Sequence, residues 1–150
     1  MKHFRFIYIL LAIVFVIFAA QRLFFSQSST QKPDPNILYI NTTPVHLTYA
    51  TTEAQRMQGL SGKSSLGADE GMLFVFDAPE EAGIWMKDMK FPLDIVWIDE
   101  NYKIFDVKEH ATPESYPKIF TPSAKASYVL EVNDGFLQKN QIKIGDPIHF

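Results

Sequence analysis

Between Gly83 and Asp94 the sequence reads GIWMKDMKFPLD, which sets Trp85 and Met86 beside two lysines and two carboxylates. Trp85 and Met86 could form an apolar platform with Lys87 and Asp94 as polar hooks, the composition of a small-ligand pocket. Strand alternation offers a simpler account, in which either Trp85 or Met86 is buried in the core and Asp88 and Lys90 are solvated turn residues. Two further groups bear on chemistry. Arg56 and Glu131 could pair across the fold. Asp94, flanked by Leu93 and Ile95, is an expensive place for an unpaired carboxylate, so a buried ion pair is an adequate explanation. An enzymatic reading makes Asp94 and Glu131 a general acid and base, as glycoside hydrolysis requires. A domain of this size, however, leaves little surface to wrap an extended glycan.

Other chemistries find less support. The chain has no cysteine, which excludes disulfides, thiolate metal sites, a cysteine nucleophile and an acylated cysteine. His46, His110 and His149 have no helical or turn spacing between them, so no zinc site is expected. Asp99-Glu100-Asn101 lacks the glycine-centred loop of calcium motifs and reads as a solvated turn. Ser61, Ser64 and Ser65 have no nucleophile elbow around them. Gly62-Lys63-Ser64 fails as a phosphate loop, because the first glycine of that motif would fall on Met57. No metal and no cofactor is expected.

The elements that must position these residues are mostly strands. Ile37–Ile40 and Val45–Tyr49 are rich in β-formers, the second with clean alternation. Thr52-Glu53-Ala54-Gln55 has the capping-box form and opens a short helix that Gly59 ends. Gly71–Phe76 is a continuous apolar run suited to a central strand, and Asp77–Glu81 is expected to turn through Pro79. Gly83–Met86 reads as a short strand. Leu93–Ile98 and Tyr102–Val107 read as a hairpin with Asn101 in the left-handed position. His110–Ser123 is expected to be loop, Ala126–Val132 a strand, Phe136–Asn140 a single helical turn, and Ile148–Phe150 a last strand. The fold class implied is α+β and mostly antiparallel, a small barrel-like or strongly twisted sheet with one or two short helices.

Taken together these segments resemble the domain of unknown function (DUF) 192 family over about Val45 to Asp146. The resemblance rests on Ala50-Thr51-Thr52-Glu53-Ala54-Gln55-Arg56 with Gly59-Leu60, on Gly71–Phe76, on Trp85-Met86-Lys87 with Pro92-Leu93-Asp94-Ile95, and on Tyr128–Asn133 with Gly135 and Gly145-Asp146. It implies a compact β-rich domain with a small helix and carries no assigned activity. The chain departs from the family pattern at Asp88-Met89, where Asn-Thr is usual. Ser61 stands where Met is common, and Asp134 where a small residue is common. A site that used an amide and a hydroxyl at 88 and 89 would here have a carboxylate and a thioether.

The chain has 150 residues, 47% hydrophobic, 14% aromatic and 21% charged, enough apolar surface for one domain and against wholesale disorder. Its N-terminus carries Lys2 and Arg5 ahead of Phe6–Ala20, FIYILLAIVFVIFAA, which has no charged residue. Bulky Phe18 or Ile17 at the third position back disfavours cleavage after Ala20 or Ala19. Leu23, Phe24 and Phe25 lengthen the stretch, so residues 1–25 are expected to be an uncleaved anchor lying in the lipid bilayer through residues 6–25. The basic N-terminus is then cytoplasmic and the C-terminal domain periplasmic or extracellular, in a single-pass arrangement at the cell membrane. Residues 26–36, SQSSTQKPDPN, suit a flexible tether, and 37–150 form the domain. That domain has ten Lys or Arg against sixteen Asp or Glu, a formal charge of −6, which supplies no field for a nucleic acid.

The expected function is a membrane-anchored extracytoplasmic domain that binds a small ligand or an envelope partner without catalysis. Arg56, Trp85, Met86, Lys87, Asp94 and Glu131 are its candidate site residues. The alternatives are a cell-envelope hydrolase using Asp94 and Glu131, and an accessory protein docking through its anchor or a strand edge.

Overall fold

A computed structural model describes residues 34–150. The expected anchor and most of the tether lie outside the described residues. Among those described, no helix is long and apolar enough to cross a membrane.

The elements in chain order are β1 (Ile37–Ile40), β2 (Thr43–Ala50), α1 (Glu53–Gln58), β3 (Glu70–Glu80), β4 (Ile84–Trp85), β5 (Leu93–Ile98), β6 (Ile104–Ala111), a 3-10 turn (Pro113–Ser115), β7 (Ile119–Phe120), β8 (Ala126–Asn133), α2 (Phe136–Lys139) and β9 (Ile148–His149). Seven strands make one sheet in the order β6-β5-β8-β3-β2-β1-β9, and β4 and β7 make a separate two-stranded ribbon. Every pair in the sheet is antiparallel except β2 with β3, which α1 connects as a crossover. The sheet curls into a half-barrel whose edges meet at one end through residues 145–148. There Ile148 pairs with Ile40 of β1, while Ile104 at the start of β6 donates to Asp146 and its carbonyl accepts from Gly145.

Strand alternation divides the interior in two. Leu38, Ile40, Val45, Leu73, Val96, Leu130, Ile104 and Ile148 belong to one core. All seven sheet strands contribute to it, so it fills the concave side. The opposite face carries Phe74, Ile95, Trp97 and Val129, which pack with Leu60 after α1, Met86 after β4 and Phe120 of β7. Gly71 permits the close approach of three strands in the first core. A Cβ there would lie 2.9 Å from Val45 Cγ1 and 3.0 Å from Leu130 Cδ1.

The structure corrects three local expectations. β3 continues through Pro79 where a turn was expected, because a register shift between Val75 and Glu80 lets the proline sit at an irregularity without a ladder donor. Tyr102, not Asn101, takes the left-handed position of the β5–β6 connection, with φ 59°. Asp99 Oδ1 accepts from the amides of Asn101 and Lys103 and so moves the tight position one residue on. The stretch 110–123 contains the end of β6, the 3-10 turn and β7, and is not plain loop.

Candidate functional site

A cavity of about 580 Å³ opens on the convex side between α1, the outer end of β3, and the β4–β7 ribbon. Its walls are built from short-range signals. Thr52 caps α1 by accepting from the Gln55 amide, and the Gln55 side chain accepts from the Thr52 amide in return. Gly59, at φ 50°, ends the helix in a conformation that costs a side chain, and a Cβ there would lie 3.4 Å from Phe74 Cζ. Phe74 and Phe76 share one face of β3 and reach the cavity, as do Trp85 of β4 and Ile119 of β7. Trp97 Nε1 donates to Ala82 O at 2.8 Å and holds the segment carrying Glu81 and Gly83 against the sheet. Met57 and Ile119, both more than half exposed, form an apolar rim.

Three of the candidate residues meet there: Arg56, Trp85 and Glu131. Arg56 does not pair with Glu131. Its Nη1 donates to Thr51 O at 2.7 Å and Val75 O at 2.9 Å, and its guanidinium lies 5.3 Å from the Phe76 ring centroid. The ion pairs among the described residues are His46–Asp69 and His110–Asp134. Glu131 lies opposite Met72 and Ile95 in the sheet, only 5% exposed. Its Oε2 has no hydrogen-bond partner among the described residues. Burial pushes its carboxyl up to about 8 from an ordinary 4.5, since the charged form is the one that loses water.

Met86, Lys87 and Asp94 are elsewhere. The alternation at 85 and 86 turns Met86 into the second core at 1% exposure and leaves Trp85 to the cavity. Lys87 sits outside with Nζ 5.8 Å from the Trp85 ring. Asp94 faces the other side of the sheet from Glu131: Asp94 pairs with Val132 in register, and Glu131 with Ile95. A single bond therefore cannot lie between the two carboxylates, which removes the acid and base pair. Asp94 is fully buried and needs no cation. Its Oδ1 accepts from the His110 amide and its Oδ2 from the Leu137 amide, each at 3.1 Å. It thereby caps α2, whose own N-cap Gly135 has no side chain to do so.

Asp94, His110 and Asp134 each offer a ligand atom within 4.8 Å of the others, a grouping that the sequence spacing did not reveal. Hydrogen bonds account for all three: Asp94 by the two amides, and His110 Nδ1 by Asp134 Oδ1 at 2.5 Å. That bond, and then the Asp134 charge, raise the His110 pKa above its ordinary value.

The positions where the chain departs from the family pattern also find places. Asp88 has φ 54°, a left-handed backbone that Asn and Asp tolerate best, and its carbonyl accepts from the Gly62 amide at 3.0 Å. Met89 lines the cavity, so position 89 alters the wall and position 88 holds a turn. Ser61 Oγ donates to Lys87 O at 2.7 Å and ties the loop after α1 to the end of β4.

Sequence reasoning missed Phe74 and Phe76 as site residues. Their i, i+2 spacing put them on one face, but the run read as buried on both sides. Ile119 carried no signal, because β7 lies in a proline-bearing stretch.

A curled half-barrel with a ligand-sized cavity on its convex side defines the class: a small β-rich domain with a pocket outside its barrel core. The chain belongs to the DUF192 family, described as an uncharacterized ACR, whose profile matches residues 37–150. A structure of a protein of unknown function from Novosphingobium aromaticivorans DSM 12444 is similar, at 26% identity and a TM-score of 0.72, over 76% of this chain and 84% of that one. A second, from Sinorhizobium meliloti 1021, whose name proposes it as a transcription regulator, is 29% identical with a TM-score of 0.70, over 75% of this chain and 89% of that one. No curated protein matches.

Proposed function

We propose that this chain is a membrane-anchored extracytoplasmic domain that holds a small ligand in the cavity beside α1 without transforming it. The observation that carries the reading is the buried Glu131 carboxyl, unpartnered at Oε2, in an aromatic-walled cavity of about 580 Å³. That volume falls within the range of small-molecule sites, and a few polar groups among apolar walls are their usual composition. The separation of Asp94 and Glu131 by the sheet supports binding over hydrolysis. The apolar run Phe6–Ala20 behind Lys2 and Arg5 supports the anchor and its orientation. A formal charge of −6 on residues 37–150 argues against a nucleic-acid partner.

Ligand-detected NMR of a fragment library against the full chain in nanodiscs tests the binding. Hits should be lost in Trp85→Ala and kept in Lys139→Ala, an exposed control on α2 outside the cavity lining. Hits that persist in Trp85→Ala would move the site elsewhere. For the anchor, protease added outside permeabilised cell envelopes should digest the domain, and protection of the domain until the inner membrane is broken would refute the orientation.

A further inference from the structure

We propose that the cavity takes an organic ammonium with an apolar or aromatic body, and that Glu131 is its buried counter-ion. This inference rests on the cavity being a ligand site and adds the charge and chemical class of the ligand.

The argument from charge is local. Besides Glu131, the lining carries Glu53 from α1, Glu80 from β3 and Glu81 just beyond it. Among the described residues the one cation of the lining is Arg56, and its Nη1 already donates to two backbone carbonyls while its plane rests on Phe76; Lys87 lies outside the lining with Nζ 5.8 Å from the Trp85 ring. The wall therefore presents carboxylates to the cavity with little cationic capacity to spare. Glu131 supplies the position: a carboxyl 5% exposed whose Oε2 lacks a donor, a state that costs free energy until a donor arrives. Phe74 adds an aromatic face, and the rings of Phe76 and Trp85, which already hold Arg56 and Lys87 at 5.3 and 5.8 Å, each keep an apolar surface that accepts flat bodies. Met57 and Ile119 at the rim match an apolar portion of the ligand near the mouth.

A proton linkage follows. The groups facing Glu131 across the cavity are Glu53 and Arg56 from α1, Glu80 from β3 and Glu81 after it; its sheet neighbours Met72 and Ile95 do not titrate. Burial keeps Glu131 protonated near neutral pH, and an entering ammonium favours the ionised form. Ammonium affinity should therefore rise between about pH 6 and pH 8, and the affinity of a neutral ligand should not.

Tryptamine, tryptophol and indole-3-acetate share one ring and differ in charge. Their binding to the full chain in nanodiscs can be read from methionine methyl resonances, since Met57 and Met89 line the cavity while Met72 and Met86 lie in the packed second core. Tryptamine is expected to move the Met57 and Met89 signals and to bind at least about tenfold more tightly than the other two. Glu131→Gln should remove most of the tryptamine preference over tryptophol and leave tryptophol binding in place. Glu80→Gln with Glu81→Gln, on the exposed rim, should lower the same ratio partway without touching the core. Tryptophol or indole-3-acetate binding as tightly as tryptamine, with the same methyl shifts, would overturn the ammonium assignment and leave the cavity as a ligand site. If none of the three moves Met57 or Met89, both the assignment and the cavity reading fall.

Discussion

Asp94 and Glu131 lie on neighbouring strands of one sheet, both nearly inaccessible, and they face opposite sides. On the concave side Asp94 accepts an amide at each oxygen and fastens the end of β6 and the start of α2 to the barrel core. On the convex side Glu131 stands in a cavity with an oxygen that accepts no hydrogen bond from the described residues. The contrast separates architecture from function. A carboxylate whose hydrogen bonds are met within the chain stabilises a fold, and one left short of a donor raises the energy of the folded state until something enters.

Removing Asp94 should have the largest effect. Asp94→Ala orphans the buried Leu137 amide and the part-buried His110 amide, and should lower the stability of the full chain by roughly 3 to 5 kcal/mol in chemical denaturation. A loss under about 1 kcal/mol would mean that the two amides find other partners.

Glu131→Gln should act in the opposite direction. The folded state holds the Glu131 proton up to about pH 8 and the unfolded chain releases it near 4.5, so the wild-type protein loses stability as pH rises across that window. Glutamine has no such loss. The variant should match wild type near pH 4, exceed it by roughly 3 kcal/mol at pH 7, and gain nothing more above pH 8. Parallel stability curves from pH 4 to pH 8 would contradict this.

The two short helices extend the comparison. α1 is capped by its own Thr52 and Gln55, and α2 by Asp94 from a distant strand. Thr52→Ala should therefore cost only about 1 kcal/mol in thermal unfolding. Because α1 forms a cavity wall, the same variant should also weaken cavity ligands, while Asp94 variants should affect binding only through unfolding.

The smallest effect belongs to His110. Its raised pKa gives stability that is present below its ordinary value of 6.5 and is lost as pH rises through the raised value. His110→Asn, which suits the left-handed backbone at φ 56°, should flatten the stability curve above pH 6.5 and leave it otherwise unchanged. An unaltered slope would assign that titration to another group.

What the sequence disclosed follows the range of the forces involved. α1 was legible because Thr52, Gln55 and Gly59 specify it within eight residues, and β5 because LDIVWI is a strong strand whatever surrounds it. Glu131 was legible as a carboxyl in an apolar strand, Trp85 as an aromatic beside charged residues, and Arg56 as a charge on the short helix. Asp94 was noticed for the same reason and assigned the wrong partners, since its donors are amides 16 and 43 residues away that no side-chain pattern marks. The parity that sends Met86 inward and Trp85 to the cavity depends on how β4 lies against β7, a pairing between two-residue strands with little sequence signature.

The most direct test is a carbon-13 NMR titration of the Glu131 carboxyl in the full chain, with and without tryptamine. The structure predicts a midpoint near 8 in the free protein and a shift toward ordinary carboxylate values when the ammonium is bound. A midpoint near 4.5 in the free protein would mean that Glu131 is solvated or already partnered, and would remove the basis for a ligand held at this carboxyl.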